Sequence, residues 1–322
     1  MTSAARRALR WALWIGVAVA LVAFVRAIDW RETWGAVRRA SPWLMAAAAV
    51  VNLGSLGLKG VRWWVFLRPI GVSLSLSLRA TFSGAALNNL LVANSGDAAR
   101  VLLVSNASGV GSALVLATLA LERLFDLVGY VILLALAAVL LPLPDSLASL
   151  KTVAFATLVV IAIGLALLLR AASGAGVQQS AEGPVTTGGR VRAYLRNTVL
   201  AIRAASTGPR FGAALALSIA AWVLQFATYH LTAMAVGFPA TFTHTIAGLL
   251  AVNVAFAVRT TPGGVGVFQV IYAMTMSQMG LDRDQATAVA LLIQVQQVLP
   301  VTAVGLVLTP GGVRTERAST ST

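Results

Sequence analysis

The chain has no cysteine, only two histidines and only ten acidic residues in a length of 322. Without cysteine there is no disulfide framework, which excludes a small stapled secreted scaffold. Charged residues make up 11% of the sequence, against about 25% in soluble domains, while 58% is hydrophobic. A soluble globule of this length would lack the polar surface it needs, so an ordinary cytoplasmic enzyme is excluded too. The few acids are outnumbered by 24 Lys and Arg, giving a net charge of +14. Those cations are scattered between long apolar runs rather than gathered into a patch, so no nucleic-acid partner is expected. They read instead as the charges that orient a protein in a bilayer.

What the sequence does hold is apolar runs of the roughly 20 residues that cross a hydrocarbon layer. The expected fold is an all-α, polytopic helical bundle forming one transmembrane domain. Eight spans are expected, at about 11–28, 42–58, 112–141, 152–169, 211–238, 243–258, 264–279 and 286–308. Arg6, Arg7 and Arg10 precede the first run as in a signal peptide, but no small-residue cleavage site follows, so it reads as a retained helix. The stretch 80–100 is too short to cross and too polar for lipid contact. It suits a re-entrant hairpin buried in protein, with a polar interfacial loop as the alternative. Residues 171–210 read as a cytoplasmic linker, Gly- and Ser-rich at first and then basic.

Lys and Arg in the loops place both termini in the cytoplasm and the chain in the plasma or inner membrane. Lys59, Arg62, Arg68, Arg79 and the arginines of 190–210 are assigned to the cytoplasmic side. Arg31, Arg38 and Arg39 violate the rule. Trp30, Trp34 and Val37 at helical spacing mark that loop as a short helix lying on the outer surface. Seven of the eight tryptophans fall in the first 64 residues near span ends and read as interfacial anchors.

The informative residues are those that do not belong in lipid. Glu122, Arg123 and Asp126 interrupt the run 112–141. Each charge near the bilayer centre costs about 2.5–3.5 kcal/mol even on the forgiving insertion scale. Three exposed to lipid would cost about 9 kcal/mol, so they are expected to face protein. Glu122 and Asp126 share a helix face, and Arg123 lies three residues before Asp126, within reach of it. Two readings follow: a self-neutralising cluster that locks helices together, or a water-accessible cavity that receives a polar or charged group. Asn88, Asn89, Gly96, Asp97 and Arg100 supply a second polar patch in the hairpin candidate. Arg259, Pro262, Gly263, Gly264 and Gly266, followed by Gln269, mark a broken helix between two short runs. A shift of 171 places Gly109 on Gly280, Arg123 on Gln294 and Asp126 on Gln297. Such a weak duplication with interrupted segments in both halves is typical of carriers with a midplane site. Whether the halves run parallel or inverted stays open at this level.

Three motifs occur in order: Asn88–Arg100, Leu121-Glu122-Arg123-Leu124-Phe125-Asp126, and Thr261-Pro262-Gly263-Gly264-Val265-Gly266-Val267-Phe268. Together they resemble the lysylphosphatidylglycerol synthase transmembrane-region family, over about Leu9 to Leu308. The resemblance implies a flippase-like membrane protein, a stand-alone member without the aminoacyltransferase domain of the synthases. Relatives commonly carry Pro and Arg where Val92-Ala93-Asn94 stand, Glu in place of Gln269 and Arg in place of Gln294. Those departures imply another lipid preference or lost transport.

The expected function is translocation of an anionic phospholipid or a polyprenyl-phosphate-linked lipid between leaflets. In that reading Arg100 and Arg259 meet the headgroup, Asn88 and Asn89 hydrogen-bond it, and Glu122, Arg123 and Asp126 keep the cavity polar. No catalytic residue, metal or cofactor is assigned, and membrane lipids are the expected partners, with a homo-oligomer or a membrane protein as further candidates. An accessory or structural subunit is the alternative, followed by a lipid-modifying enzyme. For an enzyme, His230 and His244, 14 residues apart, offer no metal-ligand spacing.

Overall fold

The computed structural model describes residues 26, 29–90, 95–140, 156, 159, 208–256 and 266–309. The spans at 11–28 and 152–169 apart from Arg26, Ala156 and Val159, most of the linker 171–210, and the positions Val92, Asn94, Arg259, Pro262, Gly263 and Gly264 lie outside the described residues. Nine α-helices are described: α1 (Trp30–Arg39), α2 (Pro42–Leu67), α3 (Leu74–Leu90), α4 (Ser95–Ser108), α5 (Ser112–Leu140), α6 (Gly208–Val236), α7 (Phe242–Phe256), α8 (Val267–Gln278) and α9 (Arg283–Leu308). At 1.5 Å per residue, α2 and α9, with 26 residues each, and α5 and α6, with 29 each, are about 39–44 Å long. All four exceed a hydrocarbon core of about 30 Å. By apolar content as well as length, α2, α6 and α9 suffice to cross a membrane. The molecule is a polytopic membrane helical bundle.

Local chemistry sets the helix ends. The Asp29 carboxylate accepts from the backbone N–H of Arg31 and Glu32 at 2.9 and 3.1 Å, capping α1. Arg38 and Arg39 close its last turn, favourably placed against the helix dipole. Asp282 caps α9 in the same way through Gln285 N–H at 2.7 Å. Pro42 occupies the first turn of α2, where its missing N–H costs nothing.

α2 and α6 lie antiparallel and form the most extensive helix pair. Ser41 N–H donates to the Ala235 carbonyl at one end, Ser55 to the Ala221 carbonyl further along, and Arg62 to Ser218 beyond that. The bundle therefore has two ends. At one end sit α1, the Gly237–Thr241 turn and the Gly280–Arg283 turn. At the other sit the Arg68–Ile70 turn, the start of α3, the Ser108–Gly111 turn and the end of α9, where Arg79 donates to the Leu308 carbonyl at 3.4 Å.

The four short helices pair into two hairpins. α3 and α4, with 17 and 14 residues, enter from the Arg68 end and return to it. α7 and α8, with 15 and 12 residues, enter from the opposite end and return there. Each hairpin is followed by a short turn with a positive-φ glycine, Gly109 or Gly280, and then by a long helix, α5 or α9. The stretches expected to cross as separate spans, 243–258 and 264–279, are thus the two arms of one hairpin. The described parts of the arms, 15 and 12 residues, are shorter than the roughly 20 residues of a crossing. The span expected at 42–58 is corrected too, because α2 continues through Lys59 and Arg62 to Leu67.

Close packing of the first hairpin depends on glycine. A Cβ on Gly96 would collide with the Gly84 carbonyl, and one on Gly84 would meet Arg100 and the Gly96 carbonyl. A Cβ on Gly305 of α9 would collide with the Phe82 carbonyl of α3. Pro300 inside α9 removes the N–H that would otherwise bond the Gln296 carbonyl. Asn52 of α2 supplies the missing donor at 2.8 Å.

Candidate functional site

α5 carries its charges on two faces. Glu122 and Asp126, four residues apart, point into the bundle, whereas Arg123 points outward. The partner of both acids is Arg62 of α2. Its Nη2 lies 2.8 Å from Asp126 Oδ1 and 3.6 Å from Glu122 Oε1, and its Nη1 donates to Ser218 Oγ of α6 at 2.8 Å. Arg100 of α4 reaches Glu122 from the other side at 2.6 Å and also donates to Thr81 of α3 at 3.3 Å. Its guanidinium lies 4.2 Å from the centre of the Trp63 ring. The Trp63 indole N–H donates to Thr118 of α5 at 3.1 Å. Side-chain exposure is 0% for Arg62, 3% for Glu122 and 6% for Arg100. One carboxylate between two guanidiniums thus joins α2, α4 and α5 in a closed interior contact.

Several assigned roles change as a result. Glu122 does not line an open cavity, and Arg100 is spent on Glu122, Thr81 and Trp63 rather than turned to an open surface. Arg123 does not pair with Asp126. It donates from Nη2 to both oxygens of Asp97 on α4, at 2.6 and 2.7 Å, with side-chain exposures of 44% and 20%. Helical spacing alone favoured Asp126, but α4 brings Asp97 closer and Asp126 is taken by Arg62.

The two asparagines have structural partners. Asn88 Oδ1 accepts from Gly96 N–H at 2.8 Å, capping the start of α4 from across the hairpin. Asn89 donates to the Gln297 carbonyl and to Thr302 of α9, both at 3.3 Å. In the second hairpin, Gln269 Oε1 accepts from Gly266 N–H at 2.7 Å and its amide donates to Gln294 of α9 at 3.4 Å. Gln294 and Gln297 are three residues apart on α9, so the inner ends of both hairpins meet adjacent positions of one helix. Gln297 also donates to the Tyr229 hydroxyl of α6 at 3.2 Å. The positions where relatives carry Glu and Arg are the facing pair Gln269 and Gln294. In this chain the two form a neutral hydrogen-bonded pair.

Arg62 is the site residue that the loop assignment missed. A signal for it was present: Val61 and Trp63–Leu67 resume the apolar run after Lys59, so a helix ending just before Pro69 carries Arg62 inside. Both histidines are engaged locally, His230 with Thr245 at 3.0 Å and His244 with Thr241 at 2.8 Å. Among the described residues, no three His, Asp or Glu side chains gather into a metal-binding group.

Compared with curated proteins and with solved structures, the chain gives no match. The model of the family described as "Lysylphosphatidylglycerol synthase TM region" matches residues 11–305. With more than nine-tenths of its length inside that match, the chain belongs to the lysylphosphatidylglycerol synthase transmembrane-region family.

Proposed function

We propose that this protein translocates an anionic phospholipid or a polyprenyl-phosphate-linked lipid between the leaflets of the cell membrane, without chemical change to the lipid. The observation that carries this reading is the pair of hairpins. They enter from opposite ends, and their inner ends meet at Gln294 and Gln297 of α9. Carriers built from inverted repeats place substrate near such a convergence of interrupted helices. The acyl chains remain in lipid while the headgroup moves along polar groups of the hairpins. A cofactor has no part in this scheme.

The test is a proteoliposome assay with a fluorescent phosphatidylglycerol, scored by how fast the label reaches a membrane-impermeant reductant. The wild-type protein exposes label faster than protein-free liposomes, and equal rates overturn the reading. A second reading, a structural or accessory membrane subunit, draws on the sealed Arg62–Glu122–Arg100 contact. It requires that deletion disperse a partner complex while lipid distribution stays unchanged.

A further inference from the structure

We infer that Arg123 is a lateral receiving point for a phosphodiester, exchanging the Asp97 carboxylate for the phosphate of a lipid that approaches from the bilayer. The three arginines of the cluster differ in what they have left to offer. Arg62 and Arg100 are buried against carboxylates and hydroxyls. Arg123 is 44% exposed, and both of its bonds to Asp97 leave from one nitrogen, Nη2. A phosphodiester presents two oxygens that match the planar guanidinium fork, and a guanidinium sheds its water more readily than an ammonium.

The surroundings are those of a lipid-facing wall rather than a watery surface. Arg123 lies on the α5 stripe of exposed Leu116 and Leu127, at spacings of seven and four residues. On α4, Leu102 is exposed, as is Ala98 beside Asp97. Arg123 is eleven residues from the start of α5, about 16 Å along the axis. A guanidinium at that depth in an apolar stripe is costly unless an anion stays with it. Replacing one anion by another keeps it neutralised throughout. The released Asp97 sits in the first turn of α4, where the helix dipole favours negative charge.

The inference takes its purpose from the translocation reading, but its binding step is measured separately. Full-length protein in micelles doped with phosphatidylglycerol or phosphatidylcholine is examined by native mass spectrometry for retained lipid. Arg123→Gln lowers phosphatidylglycerol retention about tenfold and leaves phosphatidylcholine retention unchanged. Asp97→Asn raises phosphatidylglycerol retention by a similar factor, because the competing carboxylate is gone. The exchange Asp97→Arg with Arg123→Asp restores the ion pair and the unfolding temperature, yet loses phosphatidylglycerol. It thereby separates capture from folding.

Equal phosphatidylglycerol retention by wild type, Arg123→Gln and the double exchange overturns the inference. Displacement of bound phosphatidylglycerol by excess inorganic phosphate also overturns it, since the ligand would then be free phosphate. If Arg123 captures phosphatidylglycerol while the liposome assay finds no movement, the binding step stands and the translocation reading alone falls.

Discussion

Arg62 and Arg68 stand six residues apart in one stretch of basic and aromatic sequence, yet they have opposite energetics. Arg62 is wholly buried and pairs with two acids, while Arg68 is exposed beside Trp64, its guanidinium 5.4 Å from the ring centre. Removing one partner of a buried ion pair leaves an uncompensated charge and costs about 3–5 kcal/mol. An exposed cation–π contact is worth about 0.5–1 kcal/mol. Arg62→Ala therefore strongly lowers the unfolding midpoint in detergent, whereas Arg68→Ala barely moves it. Similar losses for both variants contradict the buried network. At this scale the sequence pointed to Arg100, Glu122, Arg123 and Asp126, because a charge in an apolar run stands out. It did not give their partners. Spacing along α5 offers Arg123 only its own helix, while Asp97 and Arg62 arrive from α4 and α2 through tertiary packing.

The hairpin α3–α4 shows how an element too short to cross is held in place. Its two arms cross at Gly84 and Gly96, Asn88 caps the returning arm, and Asn89 fastens the inner end to α9. Gly96→Ala forces a methyl group against the Gly84 carbonyl, and overpacking of this kind costs about 1–3 kcal/mol. Gly57→Ala, in α2, meets no atom within 4 Å and gains helix propensity of about 0.5–1 kcal/mol. Thermal unfolding of the two variants therefore shifts in opposite directions, and a shared sign contradicts the tight crossing. The polar residues and glycines of 80–100 marked this stretch as something other than a span. For residues 243–258 and 264–279 the break at Arg259–Gly266 was legible, but not whether the two flanking runs cross or turn back. The pairing of Gly248 with Tyr272 and Met276, and of Gln269 with Gln294 midway along α9, is what brings the two runs together as a hairpin.

Taken whole, the bundle repeats one unit, a hairpin, a glycine turn and a long helix, in two opposite directions. Leu74–Leu140 and Phe242–Leu308 are these units, and Gly109 and Gly280 hold the same place in each. The 171-residue offset was legible in the sequence. The inversion was not, because direction depends on which ends of the bundle the helices reach. The lack of native cysteine makes the arrangement directly testable. Asn106→Cys, at the end of α4, and Gln278→Cys, at the end of α8, are labelled by an impermeant maleimide from opposite sides of the membrane. Labelling from the same side contradicts the inversion. The ionic network has an electrical consequence as well. Arg62 and Arg100 balance Glu122 and Asp126, and Arg123 balances Asp97. A membrane potential does about 2.3 kcal/mol of work per elementary charge moved across 100 mV. An assembly whose charges cancel carries almost no gating charge, so voltage has little grip on it when it moves as a unit.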